Sequence, residues 1–201
     1  MKNVWVFLVV GVLFITAFKV FAQEAQAPVY KEGECWVFRS VSKNFQGYVS
    51  GVLAMPVNGD HRICFLEGKF VEINGRTKSQ ISTGSMWSNI LYMRESNHLR
   101  FPLIVGQKRT EEFEARIRGT NRRQKGTAEI SIVGMEPITS SAGAYETFKI
   151  ETNHWCGGKS CGRYIYFYSP QTKSVAKYNY EATLGSIATW QVDLIEFLPV
   201  P

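Results

Sequence analysis

The sequence predicts an all-β fold, an antiparallel sheet of about ten strands with at most one short helix. Three observations predict it: segments in which apolar and polar residues alternate, turn-forming dipeptides between those segments, and four cysteines behind an export signal. The alternation is plainest where Phe113, Ala115 and Ile117 are interleaved with Glu112, Glu114, Arg116 and Arg118, the period of a strand with one wet face. Turn chemistry separates such runs at Asn58-Gly59, Glu67-Gly68, Asn74-Gly75, Gly119-Thr120-Asn121 and Ser169-Pro170.

In chain order, residues 1–22 read as a signal peptide: Lys2, then an apolar run from Val4 to Phe18, then Val20-Phe21-Ala22 before a cut at Gln23. The run is shorter than the roughly 20 residues of a membrane-spanning helix, and Lys19 interrupts it. Residues 23–33 are polar and aperiodic and read as a tether. Residues 34–198 read as a single domain, with strands expected at 34–42, 47–55, 61–66, 69–73, 112–118, 127–134, 145–153, 163–169, 174–182 and 187–197. Segment 85–95 breaks the pattern. Met86, Trp87, Ile90, Leu91 and Arg94 fall at helical spacing, which leaves a short helix, a lid or another strand open.

Charge and chemistry narrow the function classes. The whole chain carries +6; without Lys2 and Lys19 it holds 21 basic and 17 acidic residues, or +4. That is mildly basic and no nucleic-acid partner is expected. Beyond residue 22 there are two aspartates, Asp60 and Asp193, and three well-separated histidines. There is no Gly-x-Ser-x-Gly elbow and no His-Glu-x-x-His helix, so no enzyme and no cofactor is expected. Four cysteines in an exported chain are most simply two disulfides, in the periplasm or outside a Gram-negative cell.

Several short motifs recur in one order. Gly33, Trp36 and Phe38 open the first strand, and Phe101-Pro102-Leu103-Ile104-Val105-Gly106 follows. Then come Ala142-Gly143-Ala144-Tyr145, Lys149-Ile150-Glu151, Phe167-Tyr168-Ser169-Pro170 with Val175 and Lys177, and a closing step from Leu194 to Phe197. On these motifs the chain resembles the TapB-like group of exported bacterial β-rich proteins. The resemblance implies a curved sheet, a half-barrel or flattened barrel similar to that of lipoprotein carriers, and no catalytic residue.

The segment His154 to Tyr168 concentrates the candidate chemistry. Cys156 and Cys161 lie in the expected connection of a hairpin, where a disulfide can close across the strand ends. A zinc site on His154, Cys156 and Cys161 lacks an evident fourth ligand, and no metal is expected. A redox pair would want Cys-x-x-Cys at a helix start. Gly-Gly-Lys-Ser lacks the first glycine and the helix of a phosphate loop. Cys35 and Cys64 are harder to join. If 47–55 lies between their strands, the separation is about 9.5 Å, so either Cys35 folds over from the tether or the early strands are no flat meander.

Tyr164, Tyr166 and Tyr168 share one strand face and Ile165 and Phe167 the other, which fits a doubly covered core strand or a ligand groove; Trp87 and Leu91 would complete the groove. Arg116, Arg118, Arg122, Arg123 and Lys125 surround a hairpin turn, either solvated or in contact with a membrane surface, a glycan or an acidic partner. Two functions are expected from this pattern. One is binding of a lipid, another apolar ligand or a partner segment on the curved sheet. The other is a structural role in an envelope protein assembly.

Overall fold

Among the described residues, ten antiparallel strands hydrogen-bond side by side in one curved, open sheet. The computed structural model describes residues 23–43, 58–74, 77–80, 99–116, 123–182 and 189–201. In chain order the strands are β1 (Glu24–Ala25), β2 (Cys35–Lys43), β3 (Gly59–Leu66), β4 (Lys69–Asn74), β5 (Thr77–Gln80) and β6 (Leu103–Ile104). They continue as β7 (Lys108–Arg116), β8 (Arg123–Ser140), β9 (Gly143–Cys156), β10 (Lys159–Ser169), β11 (Ser174–Ala182) and β12 (Thr189–Leu198). The large sheet has the order β5-β4-β3-β2-β12-β11-β10-β9-β8-β7, while β1 and β6 form a separate two-stranded ribbon. Among the described residues there is no helix.

One face of the sheet carries the core. Pairing register puts directly opposed residues on the same side of the sheet, and the buried apolar set follows that rule across six strands. Tyr166 lies opposite both Tyr178 and Ile150, Ile150 opposite Ile132, Tyr178 opposite Val192, and Leu194 opposite Phe38. All seven are buried. The other face alternates charge and amide: Arg39 pairs with Asp60 at 2.8 Å, and Arg163 with Glu151 at 2.8 Å. Ile165 and Phe167 point there, Phe167 lying 5.9 Å beneath the Lys149 ammonium.

The structure departs from the sequence expectations in four places. β3 pairs directly with β2, so no strand at 47–55 separates them; that segment lies outside the described residues, as does 85–95. Asn58-Gly59 is not a turn, because Gly59 opens β3 opposite Ser40. Residues 23–33 are not a loose tether. Ala25 is buried beside Leu103, and Tyr30 packs against Trp36 and Phe70 with ring centroids 5.7 and 4.8 Å apart. Polar composition concealed these two anchors.

Fourth, β8 runs to Ser140 rather than 134, through Pro137. Proline is admitted because β7 pairs with β8 only as far as Ser131, leaving Pro137 one strand neighbour among the described residues, β9.

Candidate functional site

The core face has two chemically different ends. At one end lie the starts of β2 and β11 and the last residues of β3 and β10. Here segment 23–34 and the stretch 99–106 fold over the sheet. Tyr30 fills the space between Trp36, Phe65 and Phe70, while Phe101 covers Tyr168 at 5.2 Å. Three polar side chains of this end find partners on the turn between β10 and β11. Trp36 Nε1 donates to the Thr172 carbonyl at 2.7 Å, the Tyr30 hydroxyl to the Lys173 carbonyl at 3.3 Å, and buried Glu34 holds Lys173 Nζ at 2.5 Å.

At the opposite end lie the turn of β9 and β10 and the last residues of β11. Tyr164 is the centre of a ring cluster: His154 and Tyr180 each at 4.5 Å, Tyr178 at 6.1 Å and Tyr166 at 6.3 Å. Phe113 adjoins His154 at 4.8 Å, and Trp190 meets Tyr178 edge-on at 5.0 Å. Trp190 Nε1 donates to Ser40 Oγ at 2.7 Å. Phe113, Tyr164 and Tyr180 are only partly buried and mark where the cluster reaches the surface. Two glycines make room for it. A Cβ on Gly126 would come within 2.5 Å of the Phe113 ring, and one on Gly162 within 2.9 Å of Tyr180.

Burial controls the protonation of this end. Loss of solvent pushes the hydroxyls of Tyr164, Tyr166 and Tyr178 well up. Tyr164 donates to Tyr180, whose hydroxyl is also raised by burial. Burial pulls His154 down to about 4. At neutral pH all five groups are uncharged.

The sequence-derived candidates fall into place unevenly. Cys35 is bonded to Cys64; they are register partners on β2 and β3 with Cα atoms 4.0 Å apart. Cys156 is bonded to Cys161, Cα atoms 5.7 Å apart. The connection between their strands is only Gly157-Gly158, both at positive φ (57° and 79°), the two-residue turn that matches strand twist. Lys159, not Cys161, faces Cys156; Cys161 occupies the irregularity between Ser160 and Gly162. The sulfurs being bonded to each other, neither is a thiolate ligand, and His154 is turned into the aromatic cluster.

Of the tyrosines, Tyr168 lies under Phe101 and belongs to the covered core, and Tyr166 is fully buried. Tyr164 alone of the three reaches the rim. Trp87 and Leu91 lie outside the described residues. Arg116 faces Arg123 where β7 and β8 converge, and exposed Lys125 faces Glu114; Arg118 and Arg122 lie outside the described residues. Tyr178, Tyr180 and Trp190 were not among the sequence candidates. Their signal was available, since Tyr178 and Tyr180 alternate as Tyr164 and Tyr166 do.

The opposite face of the sheet holds a shallow groove of about 300 Å³ over β2, β10, β11 and β12, lined by Val41, Lys43, Arg163, Ile165, Asn179 and Gln191 among others. Its mixed charges and amides are those of a solvated sheet face.

No family model matches the chain, so its TapB-like resemblance stands on the motifs alone. No curated protein matches it either. Among solved structures it is similar to a candidate lipoprotein from Parabacteroides distasonis, 13% identical with a TM-score of 0.38, over 86% of this chain and 98% of that one. It is also similar to a candidate exported protein with a YmcC-like fold from Bacteroides fragilis, 14% identical with a TM-score of 0.36, over 87% and 100%. The hypothetical lipoprotein YmcC from Escherichia coli is 10% identical with a TM-score of 0.40, over 84% and 86%. Likeness at this level carries no argument about function.

Proposed function

We propose that this is an exported, non-catalytic binding protein that holds an apolar ligand or partner segment against the curved sheet. The observation that supports it is the rim of rings formed by Phe113, Tyr164 and Tyr180, continuous with the buried Tyr166, Tyr178 and Trp190. Apolar ligand sites are concave surfaces lined by aromatic side chains with few polar groups. Two disulfides fit an extracytoplasmic compartment. The basic run of the sequence at Arg116, Arg118, Arg122, Arg123 and Lys125 supports contact with anionic headgroups at a membrane surface. Native mass spectrometry of protein purified from a bacterial envelope tests the reading. A bound lipid or peptide that dissociates on activation supports it; the apo mass alone, after mild extraction, refutes it.

A second reading, a structural subunit of an envelope assembly, is favoured by Trp155 and Val133, which are 38% and 52% exposed. Cross-linking in intact cells tests it. Reproducible adducts that vanish in Trp155→Lys favour the assembly.

A further inference from the structure

We infer that the Cys156–Cys161 disulfide is a redox clasp: a protein dithiol opens it reversibly, and opening loosens the β9–β10 hairpin end while Cys35–Cys64 stays closed. The clasp regulates the order of this end and is not a catalytic redox pair.

The two disulfides differ in access. Cys35 and Cys64 are 7% and 1% exposed, on neighbouring strands at the capped end. Cys156 and Cys161 are half-buried, and Trp155, Gly157, Gly158, Lys159 and Ser160 around them are all exposed. Exchange begins when a thiolate reaches a disulfide sulfur, so access decides which bond a reductant opens first. Local charge favours the same bond. Lys159 lies inside the clasped loop, and the Gly157 N–H donates to the carbonyl of exposed Lys125 at 3.4 Å. No acidic residue occurs in sequence between Glu151 and Glu181, and the acid facing Lys125 is Glu114 on β7. Neighbouring cations stabilise the thiolates that attack and leave.

What the clasp holds is register. Lys159 faces Cys156 and Ser160 faces Trp155; past the irregularity at Cys161 the ladder resumes with Gly162 opposite His154. Cys161 is the extra residue, and its bond to Cys156 fixes where that residue sits. A strand slipped by one residue turns its side chains to the other face. Two contacts depend on the register. Gly162 lies so close to Tyr180 that a Cβ would meet the ring at 2.9 Å, and His154 sits 4.8 Å from Phe113 and 4.5 Å from Tyr164. With the bond open, the strand ends are joined only through Gly157-Gly158, two residues of wide conformational freedom. The core beside them is the less satisfied one: Tyr178 Oη and Thr152 Oγ1, each 0% exposed, have no hydrogen-bond partner among the described residues. Unpaired buried hydroxyls cost stability, so local opening costs less at this end.

The exchange balances. A thiolate of the dithiol attacks one sulfur, forming a mixed disulfide, and the other cysteine leaves as a thiolate and takes up a proton. The second thiolate of the dithiol then attacks the mixed disulfide. The dithiol is oxidised to a disulfide, and Cys156 and Cys161 are reduced to two thiols.

Stepwise reduction of the folded protein with dithiothreitol, trapping with iodoacetamide and peptide mapping measures the order of opening. Cys156 and Cys161 should be trapped at least about tenfold faster than Cys35 and Cys64. In the selectively reduced protein, backbone amides of residues 155–162 should exchange with deuterium at least about tenfold faster than in the oxidised one. Protection in β2 and β3 should stay unchanged, and reoxidation should restore it at the hairpin. The His154 imidazole, which burial holds down to about 4, should titrate closer to about 6.5 once the clasp is open. The double variant Cys156→Ser, Cys161→Ser should reproduce the opened state. Reduction of both disulfides at equal rates, or of Cys35–Cys64 first, would overturn the inference. So would selective reduction that leaves amide exchange and the imidazole titration unchanged. Opening by dithiothreitol but not by reduced thioredoxin, a protein dithiol, would overturn the assigned reductant.

Discussion

The two ends of the core face are built from the same materials and differ in how they are finished. Both stack aromatic rings and both have a disulfide. At the end capped by residues 23–34 and 99–106, Trp36, Tyr30 and Glu34 each meet a named partner on the turn between β10 and β11. At the rim, rings reach the surface and two hydroxyls go unmatched. The first pattern is what maximal stability requires. The second gives up some stability, which is where a binding function is expected to reside.

The sharpest way to break this comparison is to cut into the capped end. Trp36 is 0% exposed and donates to Thr172. Trp36→Ala should cost about 3–5 kcal/mol in urea unfolding, and a cost below about 1 kcal/mol would show the cap to be ornamental. The disulfides should rank by end. In the chain-entropy model, replacing Cys35 and Cys64 by Ala, which reopens a 29-residue separation, costs about 3–4 kcal/mol; replacing Cys156 and Cys161, separated by 5, costs about 2 kcal/mol. Equal or reversed costs would undo the ranking.

The rim should show its own pH signature. His154 has a folded pKa near 4, below its unfolded value of about 6.5, so the unfolded chain binds the extra proton. Its contribution to stability is whole above pH 6.5 and is lost as pH falls toward 4, by up to about 3 kcal/mol. Comparing unfolding at pH 7 and 4.5 in the wild-type protein and His154→Phe isolates this; the variant should lose less, and equal losses would place the imidazole in solvent. The smallest effect is expected at Gly126. Alanine there meets the Phe113 ring and the Trp155 carbonyl and should cost about 1–3 kcal/mol. If thermal melting of Gly126→Ala matched the wild type, the close packing of Phe113 would be disproved.

Much of the sheet was legible from alternation and turn chemistry. The strand expected at 174–182 matches β11 residue for residue, and 69–73 falls one short of β4. The rest eluded local pattern because its causes are not local. Nothing within 34–66 says that β2 and β3 are neighbours, and a disulfide between Cys35 and Cys64 was equally open to a Cys35 folded over from the preceding segment. Pro137 argues against a strand until the missing neighbour is known. Thr152 reads as an ordinary polar residue in an alternating strand, and only its burial singles it out.

That same Pro137 bears on the protein's behaviour among other chains. From residue 133 onward, β8 has β9 on one side and, among the described residues, no strand on the other. An open edge of this kind is a template on which a stray strand can add and start aggregation. Here the register slips at Val133, and four residues later Pro137 offers no N–H to a newcomer. The longest strand among the described residues thus refuses a second partner along the stretch where its edge is open.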